Sequence, residues 1–123
     1  MQIFHQWHPV QDAGTYFSIA AIIDDGEGLR ICLHEHGTGQ RVTVVFKDHL
    51  AYQCRDESDL EGEAARSTGL GRGCFYRVEG SEFQTSFERD SVRCYDGIAH
   101  FAFVSDARCV DVLALGKPVV IRL

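Results

Sequence analysis

Residues 16–46 read YFSIAAIIDDGEGLRICLHEHGTGQRVTVVF, three apolar runs separated by two glycine-rich turn clusters. In 29–35 the alternation is unbroken, with Leu29, Ile31 and Leu33 on one face and Arg30, Cys32 and His34 on the other. A period of two belongs to a strand with one face covered. Before it, YFSIAAII is rich in strand formers, and Phe17, Ile19, Ala21 and Ile23 fall on one face. After it, RVTVVF sets Val42, Val44 and Phe46 together. DDGEG and GTGQ supply glycines that tolerate positive φ at the connections. The three runs therefore form an antiparallel meander.

Working outward, AYQCRD at 51–56 and FYRVE at 75–79 read as further strands. The acidic stretch between them, with STGLGRG, reads as a long connection. Leu60, Ala64 and Ala65 permit a short helix there, which Gly62 interrupts. Ser81 and Gln84 have the spacing of a capping box, in which hydroxyl and amide each satisfy an orphan backbone donor. The helix so started ends near Asp90, with Phe83 and Phe87 on the side that docks on the sheet. IAHFAFV at 98–104 is apolar on both faces, the mark of a central strand covered on both sides. CVDVLAL at 109–115 and VVIRL at 119–123 complete the set. The expected fold is α+β: mainly antiparallel sheet, or a partly open barrel, with one principal helix at about 81–90. Ile31, Leu33, Val42, Val44, Phe101, Val112 and Leu113 are the expected core.

A chain of 123 residues, 45% hydrophobic and 24% charged, matches one globular domain spanning 1–123. No run reaches the roughly 20 apolar residues of a membrane span, and the opening MQIFHQWHPVQDAG has no leader character. Five cysteines without a C-x-x-C pair read as small buried hydrophobes of a reducing compartment, so a cytoplasmic location is expected. Residues 1–63 carry eleven acids against four bases, net −7, whereas 64–123 carry seven against eight, net +1. The densest acidic run is Asp56, Glu57, Asp59, Glu61 and Glu63, followed by Asp24, Asp25 and Glu27. These are solvated loops or a partner-facing patch. A field of this sign repels nucleic acid and anionic membrane and attracts basic protein surfaces.

The chemical motifs are sparse. His34 and His36 alternate on one side of a strand, so both imidazoles could reach one metal ion. Gly28 with His34 and His36, and Gly97 with His100, resemble the two halves of a cupin metal motif. Gln40 stands where that pattern has glutamate, and the proline and glycine expected before Gly97 are absent. GLGRG at 69–73 lacks the lysine and hydroxyl residue of a phosphate loop and leads into a strand. No serine elbow or cysteine signature is present. Asp111 interrupts an apolar strand and Arg77 sits on another. They form an internal pair, or else both face water at edges. No cofactor is expected.

Residues 51–60, 75–91 and 98–120 together resemble a family of small bacterial proteins that accompany secreted toxin domains. The resemblance rests on Tyr52, Arg55, Asp56 and Glu57; on Phe83 and Phe87; and on His100, Phe101, Val110, Asp111, Val112, Leu113 and Pro118. Proteins of this kind serve as immunity proteins of contact-dependent inhibition and related polymorphic-toxin systems. The resemblance implies a binding protein rather than an enzyme, its partner being the C-terminal domain of a cognate toxin with a basic surface. The alternative is a cupin-like metal-binding barrel, with enzymatic activity centred on His34, His36 and His100.

Overall fold

The structure is a computed structural model and describes residues 1–9, 16–64, 67–71, 73–105 and 107–122; of Glu57 and Ala64 it describes the backbone alone. In chain order the elements are β1 (Gln2–Gln6), β2 (Phe17–Asp25), β3 (Gly28–Glu35), β4 (Arg41–Phe46), β5 (His49–Asp56), α1 (Glu57–Ala64), β6 (Ser67–Thr68), β7 (Phe75–Glu79), α2 (Glu82–Asp90), β8 (Ala99–Val104), β9 (Arg108–Ala114) and β10 (Val119–Arg122). Sheet A has the order β5-β9-β8-β7-β1-β6, and sheet B the order β10-β4-β3-β2. Every pairing is antiparallel except the short β1–β6 ladder. The fold is α+β, with two stacked sheets that do not close into a barrel.

The alternation seen in the meander is what joins the sheets. Leu29, Ile31, Leu33, Val42 and Val44 of sheet B are fully buried, with Phe46 beside them. They meet Phe75, Phe101, Phe103, Val110 and Val112 of sheet A in one core cluster. Phe46 packs on Phe101 and Phe103 with ring centroids 5.2 and 6.0 Å apart, and Phe17 reaches Phe75 at 4.9 Å. All seven residues expected in the core are buried. The other face of sheet A carries a second cluster of Phe4, Tyr76, Val78, Ala102 and Cys109, covered in part by Leu60 of α1 and by Leu70. β8 is thus covered on both faces, as its composition requires.

Gly28 holds the β2–β3 turn tight. Its φ is +114°, and a Cβ there would meet the Phe46 carbonyl oxygen at 2.5 Å. No other residue type fits both conditions.

The structure departs from the sequence expectations in five places. A bulge between Ile19 and Ala21 reverses the facing of the second half of β2. Ile22 packs on the core as a result, and Ile23 is exposed. The extra residue of a bulge does this wherever one strand must slip against its partner. The opening segment, read only for leader features, forms β1 and pairs with β7. The acidic stretch is a helix that continues through Gly62. Cys54 and Cys94 are exposed, and only Cys74 and Cys109 are buried. Finally, Ser81 caps α2 by accepting from the Gln84 amide at 2.9 Å, but the Gln84 side chain donates to Glu88 at 3.0 Å instead of turning back to the cap.

Candidate functional site

The outer face of sheet A holds a buried polar network centred on Asp111. Its strand, β9, lies between β5 and β8, so register decides which side chains it can meet. Gln53 stands directly opposite Asp111, and Arg55 is opposite Cys109 on the same face. His100 lies diagonally across from Asp111 on β8, since Ala102 is the direct partner. Asp111 Oδ2 accepts from Arg55 Nε at 2.8 Å and from Gln53 Nε2 at 3.1 Å, and its Oδ1 lies 2.7 Å from His100 Nε2. His100 Nδ1 is 2.6 Å from the Ser81 hydroxyl. The same hydroxyl oxygen accepts from the Gln84 backbone N–H, so it joins His100 to the start of α2.

The network continues into α1. Arg55 Nη1 donates to Glu63, which also accepts from the Gln2 amide at 3.0 Å. Gln2 in turn receives the Glu82 backbone N–H at 2.8 Å, tying β1 to the first turn of α2. Asp111 is fully buried and His100 nearly so. Burial alone would raise the Asp111 carboxyl. The hydrogen bond and charge of His100, with Arg55 and Gln53, outweigh it and hold Asp111 below the usual carboxylate range. Burial would likewise lower Arg55, yet Glu63 and Asp111 hold its guanidinium firmly charged. A buried charge requires such partners, because an unpaired ion in this environment costs several kcal/mol.

A cleft of about 410 Å³ opens above the network, lined by Arg55, Glu63, Phe83, Ser86 and His100 among others. Ser81, His100 and Asp111 stand in the order of a nucleophile, base and orienting acid. Ser81, however, is buried and serves as the α2 cap, and it is not part of the cleft lining. The geometry therefore ties three elements together rather than presenting a nucleophile. Asp111 does have internal partners, as its burial demands, but Arg77 is not one of them. Arg77 is exposed, with its guanidinium 5.6 Å from the Phe101 ring centroid.

The acidic residues divide into three groups. Asp56, Asp59 and Glu61 are exposed. Asp56 starts α1: its Oδ1 accepts from the Ser58 amide at 3.0 Å and the Ser58 hydroxyl at 2.5 Å, which lowers its pKa. Glu63 corrects the expectation of an exposed run, because it is buried beneath the helix against Arg55 and Gln2. The Glu57 side chain lies outside what the structure describes. Asp24, Asp25 and Glu27 occupy the β2–β3 hairpin, where Asp24 meets His49 at 3.1 Å and Asp25 meets Arg30 at 2.5 Å. His49 begins β5 and Asp56 ends it. At about 3.3 Å per residue the two acidic groups stand roughly 23 Å apart, so they form two surfaces and not one.

The three histidines of the cupin-like reading are not brought together. His34 and His36 are exposed at the end of β3, where His36 lies 2.5 Å from the Ser18 hydroxyl. His100 is buried in the other sheet with both ring nitrogens engaged. Among the described residues no group of three or more His, Cys, Asp or Glu side chains is placed to hold a metal ion. The described residues also contain no helix long and apolar enough to cross a membrane.

The Asp111 network escapes a sequence reading because its bonds join residues far apart along the chain, 58 apart for Gln53 with Asp111 and 80 for Gln2 with Glu82. The single available signal was an aspartate inside an apolar strand. At the start of α1 the available signal is Asp56 itself, an N-cap residue type ahead of the Leu60 segment, and in the structure it accepts the Ser58 N–H. No family model, curated protein or solved structure matches this chain.

Proposed function

We propose that this chain is an immunity-type binding protein that neutralises a cognate toxin domain by covering a basic surface with the exposed acidic side chains of α1. The observation that carries the reading is the way these side chains are held. Asp59 and Glu61 are exposed and form no ion pair with a described residue. They stand on a helix capped by Asp56 and fastened to the sheet through Glu63, Arg55 and Asp111. A charged surface that is already ordered loses little conformational entropy when it binds. The buried network then acts by positioning α1, not by chemistry. The net −7 of residues 1–63 would speed encounter with a cationic cleft such as a nuclease presents.

The test is co-expression with the toxin domain encoded beside this gene. Growth should be restored by the wild-type chain and lost with Asp59→Lys combined with Glu61→Lys, which leaves the cap and the buried tie in place. Restored growth with both charges reversed would remove α1 from the interface. A gene with no toxin neighbour would remove the immunity reading.

A further inference from the structure

β10 is the terminal strand of sheet B: β4 pairs one edge, and no described strand pairs the other. Sheet A carries six strands against the four of sheet B and runs on past β8 to β7 and β1. On this flank Arg77 and His5 face each other across the β1–β7 ladder, and both are exposed. A cleft of about 410 Å³ lies between the flank and the start of β10, lined by Trp7, Ala99 and Phe101 and by Arg77, Lys117 and Pro118. Neither cation pairs with a described carboxylate. On the opposite side of β10, Val119 is 50% and Ile121 44% exposed, beside Val45 and Thr43 on the outer face of sheet B.

We propose that the β10 edge and this cleft take up an extended segment of a partner protein as a fifth strand of sheet B. The segment alternates, with aliphatic side chains set beside Val119 and Ile121, and an aromatic and an acidic side chain turned into the cleft. Strand addition uses main-chain hydrogen bonds for affinity and pockets at alternate positions for specificity. Trp7 and Phe101 offer the aromatic contact, and Arg77 with Lys117 select the carboxylate. The same charges disfavour a second copy as the occupant. Residues 117–122 carry no carboxylate side chain, and antiparallel pairing of two β10 strands brings the Lys117 end of each to the Arg122 end of the other. This surface joins the β10 edge to the inner side of sheet A, whereas α1 covers the outer face of sheet A, so the proposal does not depend on the acids of α1.

The test uses the whole chain and the pentapeptide acetyl-Val-Phe-Val-Glu-Val-amide, followed by amide NMR. Saturable shifts are expected at Val119, Val120 and Ile121 and at the Trp7 indole, with slowed amide exchange along β10. Replacing the peptide glutamate by lysine should weaken binding at least tenfold, and the double variant Arg77→Glu, Lys117→Glu should reverse that preference. Methylating alternate peptide nitrogens should abolish binding. No saturable shift, equal binding of the methylated peptide, or a concentration-dependent dimer joined through β10 would each overturn the proposal.

Discussion

Asp111 occupies a site where only an ion with full pairing is tolerated. Two of its neighbours, Arg55 and His100, supply the charge and hydrogen bonds that keep it ionised. Asp111→Asn keeps the shape but removes the charge, leaving Arg55 with Glu63 as its remaining carboxylate partner. The expected loss is about 3–5 kcal/mol near neutral pH, read by denaturant titration. Its pH dependence has a definite sign. A carboxylate whose folded pKa is depressed contributes stability above its unfolded value, near 4, and that stability fades as pH falls through the folded value. The gap between wild type and Asp111→Asn should therefore narrow below about pH 4, and a constant gap would contradict the assignment. The thiols make a second residue-scale test. Burial pushes Cys74 up to about 12, and burial with the nearby Asp111 charge raises Cys109 as well. Cys54 and Cys94 are exposed, so both should label rapidly in the native protein, whereas Cys74 and Cys109 should label only on unfolding.

At the scale of elements, the meander was legible because alternation over β3 and β4 states both the strand period and the buried face. Leu33→Ala removes a fully buried side chain from the junction of the two sheets and should cost about 2–5 kcal/mol. What periodicity omits is pairing. Nothing local reports that Ala20 forms a bulge, or that β5 lies beside β9 and so brings Arg55 to Asp111. α1 was hidden for a different reason. Gly62 and a weakly amphipathic sequence argue against a helix, yet a cap at one end and a buried tie at Glu63 supply what propensity lacks. Asp56→Ala should accordingly speed amide exchange at Ser58 and Asp59 while leaving sheet amides unchanged. Unaltered exchange in α1 would show that the tertiary tie suffices alone.

Across the whole molecule, two sheets enclose one core, and the helices sit on the outer side of the larger sheet. That arrangement sets the two acidic groups of the N-terminal half at opposite ends of β5. α1 presents Asp59 and Glu61 at one end of β5, and the β2–β3 hairpin holds its acids in local pairs with His49 and Arg30 at the other. Composition showed the sign of the field, but only the fold shows which carboxylates are unpaired. It also explains why Asp56 and Glu63 are poor choices for testing an interface, since altering either one changes the helix that carries it. The most direct measurement is the association rate with the cognate toxin domain as a function of salt, for wild type and for Asp59→Lys combined with Glu61→Lys. The account predicts association slowed by about tenfold at low salt, with a flatter salt dependence and an unchanged unfolding midpoint. Equal association rates and equal salt slopes for the two proteins would contradict it.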